Sequence, residues 1–209
     1  MKVLIADDHA IFREGLKLIL ALEPDMNVVG ETGNAQETLR AAHSLDWDVM
    51  ILDYAMPGAE GMTVLRSVKK AFPSRPVLML SAYPEDPMAL PALRAGAAGY
   101  VNKGCVSEEL TVALRKAITG RKYVSAALAD RLAAGLEDGA KAAPHDALSD
   151  REYRVMWMLA KGKSISLIAE ELHLSQSTVS TYRTRILRKL ALGNNADLVR
   201  YAMKTGSVE

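Results

Sequence analysis

Five short apolar runs punctuate residues 1–119, and each is followed by a stretch whose apolar positions recur every three or four residues. The runs are Val3–Ala6, Val28–Glu31, Val49–Leu52, Val77–Ser81 and Gly99–Lys103. Val49–Leu52 is β-branched at Val49 and Ile51 and apolar throughout, which predicts a strand covered by helices on both faces. Between the runs, Ile11, Phe12, Leu16, Ile19 and Leu20 fall at helical spacing until Pro24 closes the segment. Asn34, with Glu37 three residues on, predicts the start of a second helix carrying Ala35, Thr38, Leu39 and Ala42. A third helix is expected over Gly61–Phe72, with Val64, Leu65 and Val68 on one face. A fourth is expected over Pro87–Ala95, ended by Gly96, and a fifth capped by Ser107 and running to about Thr119. An interior proline such as Pro91 removes a hydrogen bond and clashes with the preceding turn, so the fourth helix is expected to start late or to kink.

Strands alternating with helices in this way imply a parallel sheet with right-handed crossovers. The fold that fits is α/β, a flavodoxin-like (βα)5 sandwich of three layers. After Gly120 the pattern changes. Leu128, Leu132 and Leu136 allow one helix over Ala126–Leu136, and Glu137–Ala147 reads as a flexible tether. From Leu148 only helical periodicity remains. Ser149 and Glu152 stand at capping-box spacing before the stripe Val155, Met156 and Leu159, and Gly162 ends that helix. Ser164 opens a second helix with Ile165, Ile168, Ala169 and Leu172 inward. Leu174–Thr178 forms a turn and a cap. A third helix follows, with Val179, Ile186, Leu187 and Leu190 inward and Arg183, Arg185, Arg188 and Lys189 mostly outside. A last helix, Ala196–Met203, covers the core. Two short helices and a basic third joined by a tight turn describe a helix-turn-helix. The expected division is residues 1–122, a linker over 123–146, and an all-α four-helix domain over 147–209.

Composition narrows the class. Apolar residues make up 49% and charged residues 24%, the profile of a globular protein rather than a disordered one. No apolar run approaches the roughly 18 residues of a membrane span, so no membrane partner is expected. The N-terminus turns acidic too early for a signal peptide, and the single Cys105 rules out an internal disulfide; a cytoplasmic protein is expected. Residues 148–209 hold ten Lys/Arg and six Asp/Glu, whereas residues 1–147 hold 16 basic and 19 acidic residues. A basic tail on an acidic front suggests two tasks, the second on a polyanion. On charge alone, a small regulatory helical bundle with a solvated basic face fits as well.

The strand ends carry the candidate chemistry. Asp7 and Asp8 follow the first run, Asp53 the third, Ser81 ends the fourth, and Lys103 ends the fifth. Open α/β sheets place their ligands at this edge. Singly, Asp53 could open a polar turn, Asp7 or Asp8 could cap a helix, and Lys103 could be a solvated charge. Together they point to one site. Three converging carboxylates repel one another and raise at least one pKa unless a cation intervenes. Mg²⁺ suits a few protein carboxylates plus waters. Lys103 and the Ser81 hydroxyl suit phosphoryl oxygens, which leaves Asp53 as the nucleophile. The histidines at 9, 43, 145 and 173 lack ligand spacing and are given no metal role.

Residues 1–119 resemble the receiver domain of bacterial two-component response regulators. The matching runs are Ile5-Ala6-Asp7-Asp8-His9, Leu52-Asp53-Tyr54-Ala55-Met56-Pro57-Gly58, Leu80-Ser81-Ala82 and Gly99-Tyr100-Val101-Asn102-Lys103. That resemblance implies that Asp53 is the phosphoacceptor, loaded from the phosphohistidine of a sensor histidine kinase. It implies Mg²⁺ bound by Asp8, Asp53 and the Ala55 carbonyl, with Asp7 acting through water. Ser81 and Lys103 then contact the phosphoryl group, and Tyr100 rotates inward as Ser81 moves. Two departures stand out: Ala55 replaces the polar residue of many receivers, and Gly104 stands where many have proline.

Leu148–Glu152, Ile168–Leu172 and Ser177–Leu190 resemble the LuxR-type helix-turn-helix domain, so the whole chain is similar to the NarL/FixJ class. The third helix is similar to that of virulence regulators of the BvgA kind. By motif position, Ser180, Thr181 and Thr184 face bases. Ser177, Thr178, Arg183, Arg185, Arg188 and Lys189 contact phosphates, which position the protein without specifying sequence. The resemblance implies a transcription factor switched by phosphorylation, with double-stranded promoter DNA and RNA polymerase as partners and a homodimer on activation. It implies a self-dephosphorylating phosphoacceptor rather than a turnover enzyme. Two alternatives stay open: a phosphatase or phosphotransferase using Asp53 as covalent nucleophile, and a constitutive DNA-binding protein with a vestigial receiver.

Overall fold

The computed structural model describes residues 1–56, 59–82, 85–126, 128–129, 144–172 and 174–204. The chain divides into two compact units, Met1–Leu132 and Ala133–Glu209. In the first, the strands β1 (Lys2–Ala6), β2 (Asn27–Thr32), β3 (Val49–Asp53), β4 (Val77–Ser81) and β5 (Gly99–Asn102) form one parallel sheet. Their order is β2-β1-β3-β4-β5. The helices α1 (Ala10–Ala21), α2 (Ala35–Ser44), α3 (Gly61–Ala71) and α4 (Glu85–Arg94) make the crossovers, and α5 (Val106–Ile118) follows the last strand.

The apolar runs explain the layering. Side chains alternate along a strand, so Val3, Ile5, Ile51, Leu78 and Leu80 share one face and pack with Leu16 and Leu20 of α1 and Leu110, Ala113 and Leu114 of α5. Leu4, Met50, Leu52 and Met79 point the other way and are equally buried. Each fully buried side chain of this size contributes about 1.5–3 kcal/mol, so a run apolar at every position needs cover on both faces.

Helix boundaries follow local chemistry, with two departures. Asn34 caps α2 as expected, its side chain accepting the Glu37 N–H at 2.9 Å. The fourth helix does not start late; it begins at Glu85. That places Pro87 in the first turn, where a missing N–H costs nothing, and leaves only Pro91 in the interior. Nor does Ser107 cap the fifth helix. A tight turn, Lys103–Cys105, runs straight into α5, and the Asn102 side chain caps that turn by accepting the Gly104 N–H at 2.8 Å. A two-residue ribbon, Ala55–Met56 against Ala59–Glu60, follows β3 and was not anticipated. The turn at Pro57-Gly58 lies outside the described residues, as do most of the expected Ala126–Leu136 helix and most of the tether after it; the tether's last residues, Pro144–Ala147, form a 3-10 helical turn instead. Tyr123, assigned to the linker from sequence, is instead buried in the core of the first unit.

The second unit is all helical: α6 (Asp150–Ala160), α7 (Ile165–Glu171), α8 (Gln176–Lys189) and α9 (Asn195–Lys204). Serines set three of the starts. Ser149 and Glu152 form the full capping box, Ser164 accepts the Leu167 N–H, and Ser175 accepts the Thr178 N–H. Gly162, at φ +77°, ends α6 in the left-handed region. Val155, Met156, Ile168, Val179, Ile186 and Leu198 are fully buried at its centre. Among the described residues, no helix is long and apolar enough to cross a membrane.

Candidate functional site

The carboxyl edge of the sheet gathers the candidate residues because parallel strands end together. Asp7 follows β1 directly, held there by its own N–H donating to the Thr32 carbonyl at 3.0 Å. Asp53 is the last residue of β3, Ser81 the last of β4, and Lys103 follows β5. Gly61, at the start of α3, lets the helix close on this edge: a Cβ there would lie 2.3 Å from the Asp53 carbonyl oxygen.

The Lys103 ammonium lies 2.6 Å from Asp7 Oδ2 and 3.0 Å from Asp53 Oδ2. Those two oxygens are therefore paired by charge, although neither accepts a directed hydrogen bond. Lys103 also stacks 4.6 Å from the centre of the Phe12 ring. Asp7 and Asp53 are 0% and 1% exposed, so one ammonium faces two carboxylates out of water. Burial pushes the Asp53 carboxyl up to about 7, with Lys103 opposing the rise and Asp7 adding to it. The Ala55 N–H donates to Asp53 Oδ1 at 3.2 Å.

Asp7, Asp8, His9 and Asp53 offer ligand atoms that all lie within 4.8 Å of one another. The cluster can hold a metal ion: its negative charge exceeds what Lys103 balances, and its donors are hard oxygens. Sequence spacing gave no metal role to His9, yet its Nδ1 lies 2.7 Å from Asp8 Oδ1 and its N–H donates to Asp7 Oδ1 at 2.8 Å. Adjacency to Asp8 was the signal available. Arg13 was also missed; its guanidinium donates to the Asp7 carbonyl at 2.6 Å and pairs with Glu31. Ser81 is buried opposite Asn102, and Tyr100 is fully buried opposite Met79. A cavity of about 460 Å³ borders the site, lined by His9, Phe12, Leu16, Ala82, Lys103 and Val106.

In the second unit, α8 presents an outer face. Ser177, Ser180, Thr181, Thr184, Arg185 and Arg188 are exposed on it, while Val179 and Ile186 anchor the inner face. The hydroxyls of Thr181 and Thr184 donate to the carbonyls of Ser177 and Ser180, at 2.9 and 3.1 Å. Two cations expected on this face are engaged inside the domain. Arg183 Nε donates to Asn195 Oδ1 at 2.6 Å. The Lys189 ammonium donates to Glu152 Oε2 at 2.6 Å and to the Ala147 carbonyl at 3.0 Å.

An acidic, lysine-bridged edge on a parallel sheet, joined to a helix-turn-helix, defines a two-module regulatory protein. Residues 3–115 match the family described as response regulator receiver domain, and residues 146–202 match bacterial regulatory proteins of the luxR family. The chain is 34% identical to response regulator GacA of Pseudomonas syringae pv. syringae over 210 residues, covering 100% of this chain and 98% of that protein. It is similar in structure to RcsB from Salmonella enterica serovar Typhimurium bound to promoter rprA in the presence of the phosphomimetic BeF3⁻, with a TM-score of 0.65 and 29% identity. That match covers 96% of this chain and 97% of RcsB. A structure of two RcsB dimers bound to two parallel DNAs is similar with a TM-score of 0.59 and 30% identity, covering 100% and 99% of the respective chains. The chain belongs to the response-regulator family, in the NarL/FixJ class that joins a receiver to a LuxR-type DNA-binding domain.

Proposed function

We propose that Asp53 accepts a phosphoryl group from the phosphohistidine of a sensor histidine kinase and that this switches DNA binding by a homodimer. The observation that carries the reading is the Lys103 ammonium shared by Asp7 and Asp53, both buried, at the carboxyl edge of the sheet. An Asp53 oxygen attacks phosphorus; a P–O bond forms, the P–N bond to the donor imidazole breaks, and the imidazole leaves. Lys103 and the Ser81 hydroxyl contact the phosphoryl oxygens. Asp8, Asp53 and the Ala55 carbonyl would hold Mg²⁺, with Asp7 acting through water, and the bound ion would neutralise phosphoryl charge. Loss of the group is hydrolysis at phosphorus, which returns free Asp53. Ala55 brings no polar side chain to that step.

Tyr100 and Ser81 form the switch: both are buried on neighbouring strands, so a phosphoryl group that draws in Ser81 changes the packing around Tyr100. On DNA, α8 enters the major groove. Ser180, Thr181 and Thr184 face base edges; Ser177, Thr178, Arg185 and Arg188 meet phosphates. Arg183 and Lys189 pair with groups of their own domain, holding α8 against Asn195 and Glu152. A two-fold dimer suits paired half-sites, and RcsB binds DNA as dimers in a similar structure. The protein works in the cytoplasm, with RNA polymerase downstream. Footprinting of genomic DNA with Mg²⁺, with and without a small phosphodonor, tests the reading. Donor-dependent protection is expected, and binding indifferent to the donor contradicts it.

A further inference from the structure

The chain leaves α5 through a closed turn. Gly120, at φ +76°, donates its N–H to the Ala117 carbonyl at 3.0 Å, and the Arg121 N–H donates to the Lys116 carbonyl at 3.1 Å. This reversal returns the chain to the outer edge of β5. There the Tyr123 N–H donates to the Ala98 carbonyl at 2.8 Å, and Tyr123 bridges Gly99 in parallel register. A Cβ at position 99 would lie 2.8 Å from both the Cβ and the carbonyl oxygen of Tyr123, so glycine is what admits the segment.

Two side chains fasten it. The Tyr123 ring is 7% exposed and packs with Val106, Leu110 and Leu114, with the Lys116 ammonium 5.3 Å from its centre. The Lys122 ammonium donates to the carbonyls of Leu93 and Ala97. These lie in and just beyond the last turn of α4, where carbonyls attract cations; the Leu93 carbonyl also accepts the Gly96 N–H at 3.2 Å. Beyond them the Ser125 hydroxyl accepts the Leu128 N–H at 3.2 Å and opens the next helical turn.

The exit segment is thus stitched to α4 and β5 at once. β5 carries Tyr100 one residue after Gly99 and runs directly into Lys103. α4 is the weaker anchor, because Pro91 has no N–H to offer the Pro87 carbonyl. We propose that Lys122 and Tyr123 form a clamp that reports the state of α4 and β5 to the linker, closed without phosphate and loosened by phosphorylation of Asp53. This rests on the switch reading above. Phosphoryl oxygens draw Lys103 and Ser81, β5 and α4 shift, and the Lys122 contacts and the Tyr123 bridge weaken together.

Hydrogen exchange at the Tyr123 amide of the full chain, with and without Mg²⁺ and beryllofluoride, tests the clamp. Exchange should quicken on the order of tenfold with the analogue in wild type and not at all in Asp53→Asn. Lys122→Met should exchange rapidly without the analogue, and Lys122→Arg should keep the wild-type response. If the analogue tightens DNA binding while Tyr123 protection stays constant, the clamp is wrong and the switch stands. If neither changes in wild type, both fail. Fast exchange at Tyr123 in unmodified wild type also overturns the clamp.

Discussion

The receiver and the DNA-binding domain hold their polar groups under opposite constraints. At the receiver edge, Asp7 and Asp53 are out of water and share one ammonium, so any change of charge is met inside the protein. On α8, Ser177, Ser180, Thr181, Thr184, Arg185 and Arg188 stand in solvent, and the Thr181 and Thr184 hydroxyls are satisfied by their own helix. The first arrangement is under electrostatic strain that added cations or a phosphoryl group can redistribute. The second is at rest and waits for a polyanion. A site that performs chemistry is therefore poorly balanced when alone, whereas a surface that only binds is stable without its partner.

The widest break in this contrast comes at the nucleophile. Asp53→Asn should reduce phosphoryl incorporation from a small donor to background, measured by mass spectrometry of the intact chain, with folding intact by circular dichroism. Next is Lys103→Met, which leaves Asp7 and Asp53 facing each other without a cation. Urea melts in a chelator should show a loss of about 3–5 kcal/mol, and Mg²⁺ should restore part of it. No loss would show that the ammonium is not what balances the pair.

Among its described residues the second domain has one buried carboxylate, Glu152, and its pKa shift runs the other way. Burial raises the Glu152 pKa, but the Lys189 ammonium and the Ser149 N–H and hydroxyl outweigh it and hold the carboxyl below its ordinary value. A lowered pKa gives stability that is present above the ordinary value and lost as pH falls through the folded one. Lys189→Met should cost about 1–3 kcal/mol at neutral pH and less in acid, by denaturant melts. For Asp53 the direction reverses: its folded pKa is about 7 against an ordinary 3.8. In chelator, its contribution is full below the ordinary value and fades as pH rises through 7. Thermal melts should therefore show wild type losing ground to Asp53→Asn between acid and mildly alkaline pH, with Mg²⁺ narrowing the gap. The smallest effect is Arg188→Ala, which should leave stability unchanged and reduce the salt dependence of DNA binding by about one unit of log–log slope.

Most of the sheet was legible because Val3–Ala6, Val49–Leu52 and Val77–Leu80 are apolar at every position, a pattern that few arrangements other than a covered parallel sheet satisfy. The acidic edge followed, since parallel strands must end on one side. What was not legible depended on partners distant in sequence. The fourth helix starts at Glu85, earlier than Pro87 suggested, because a proline is tolerated anywhere in the first turn and so does not mark the first residue. Tyr123 looked like linker because nothing local reveals that Gly99 leaves room for it. Lys189 read as an outward cation and is exposed, but its pairing was not legible because its partner, Glu152, lies on another helix and was already accounted for by the capping box. Helical phase shows which face a residue occupies, not which charge across the domain will bind it.

The charge state of Asp53 should be read out by α8. The most direct test is the affinity of the full chain for a footprinted promoter fragment, measured at fixed salt with Mg²⁺, with and without beryllofluoride, for wild type and Asp53→Asn. Wild type should bind more tightly with the analogue, and Asp53→Asn should be indifferent to it. Equal affinity of wild type in both conditions, or an equal gain in Asp53→Asn, contradicts the account.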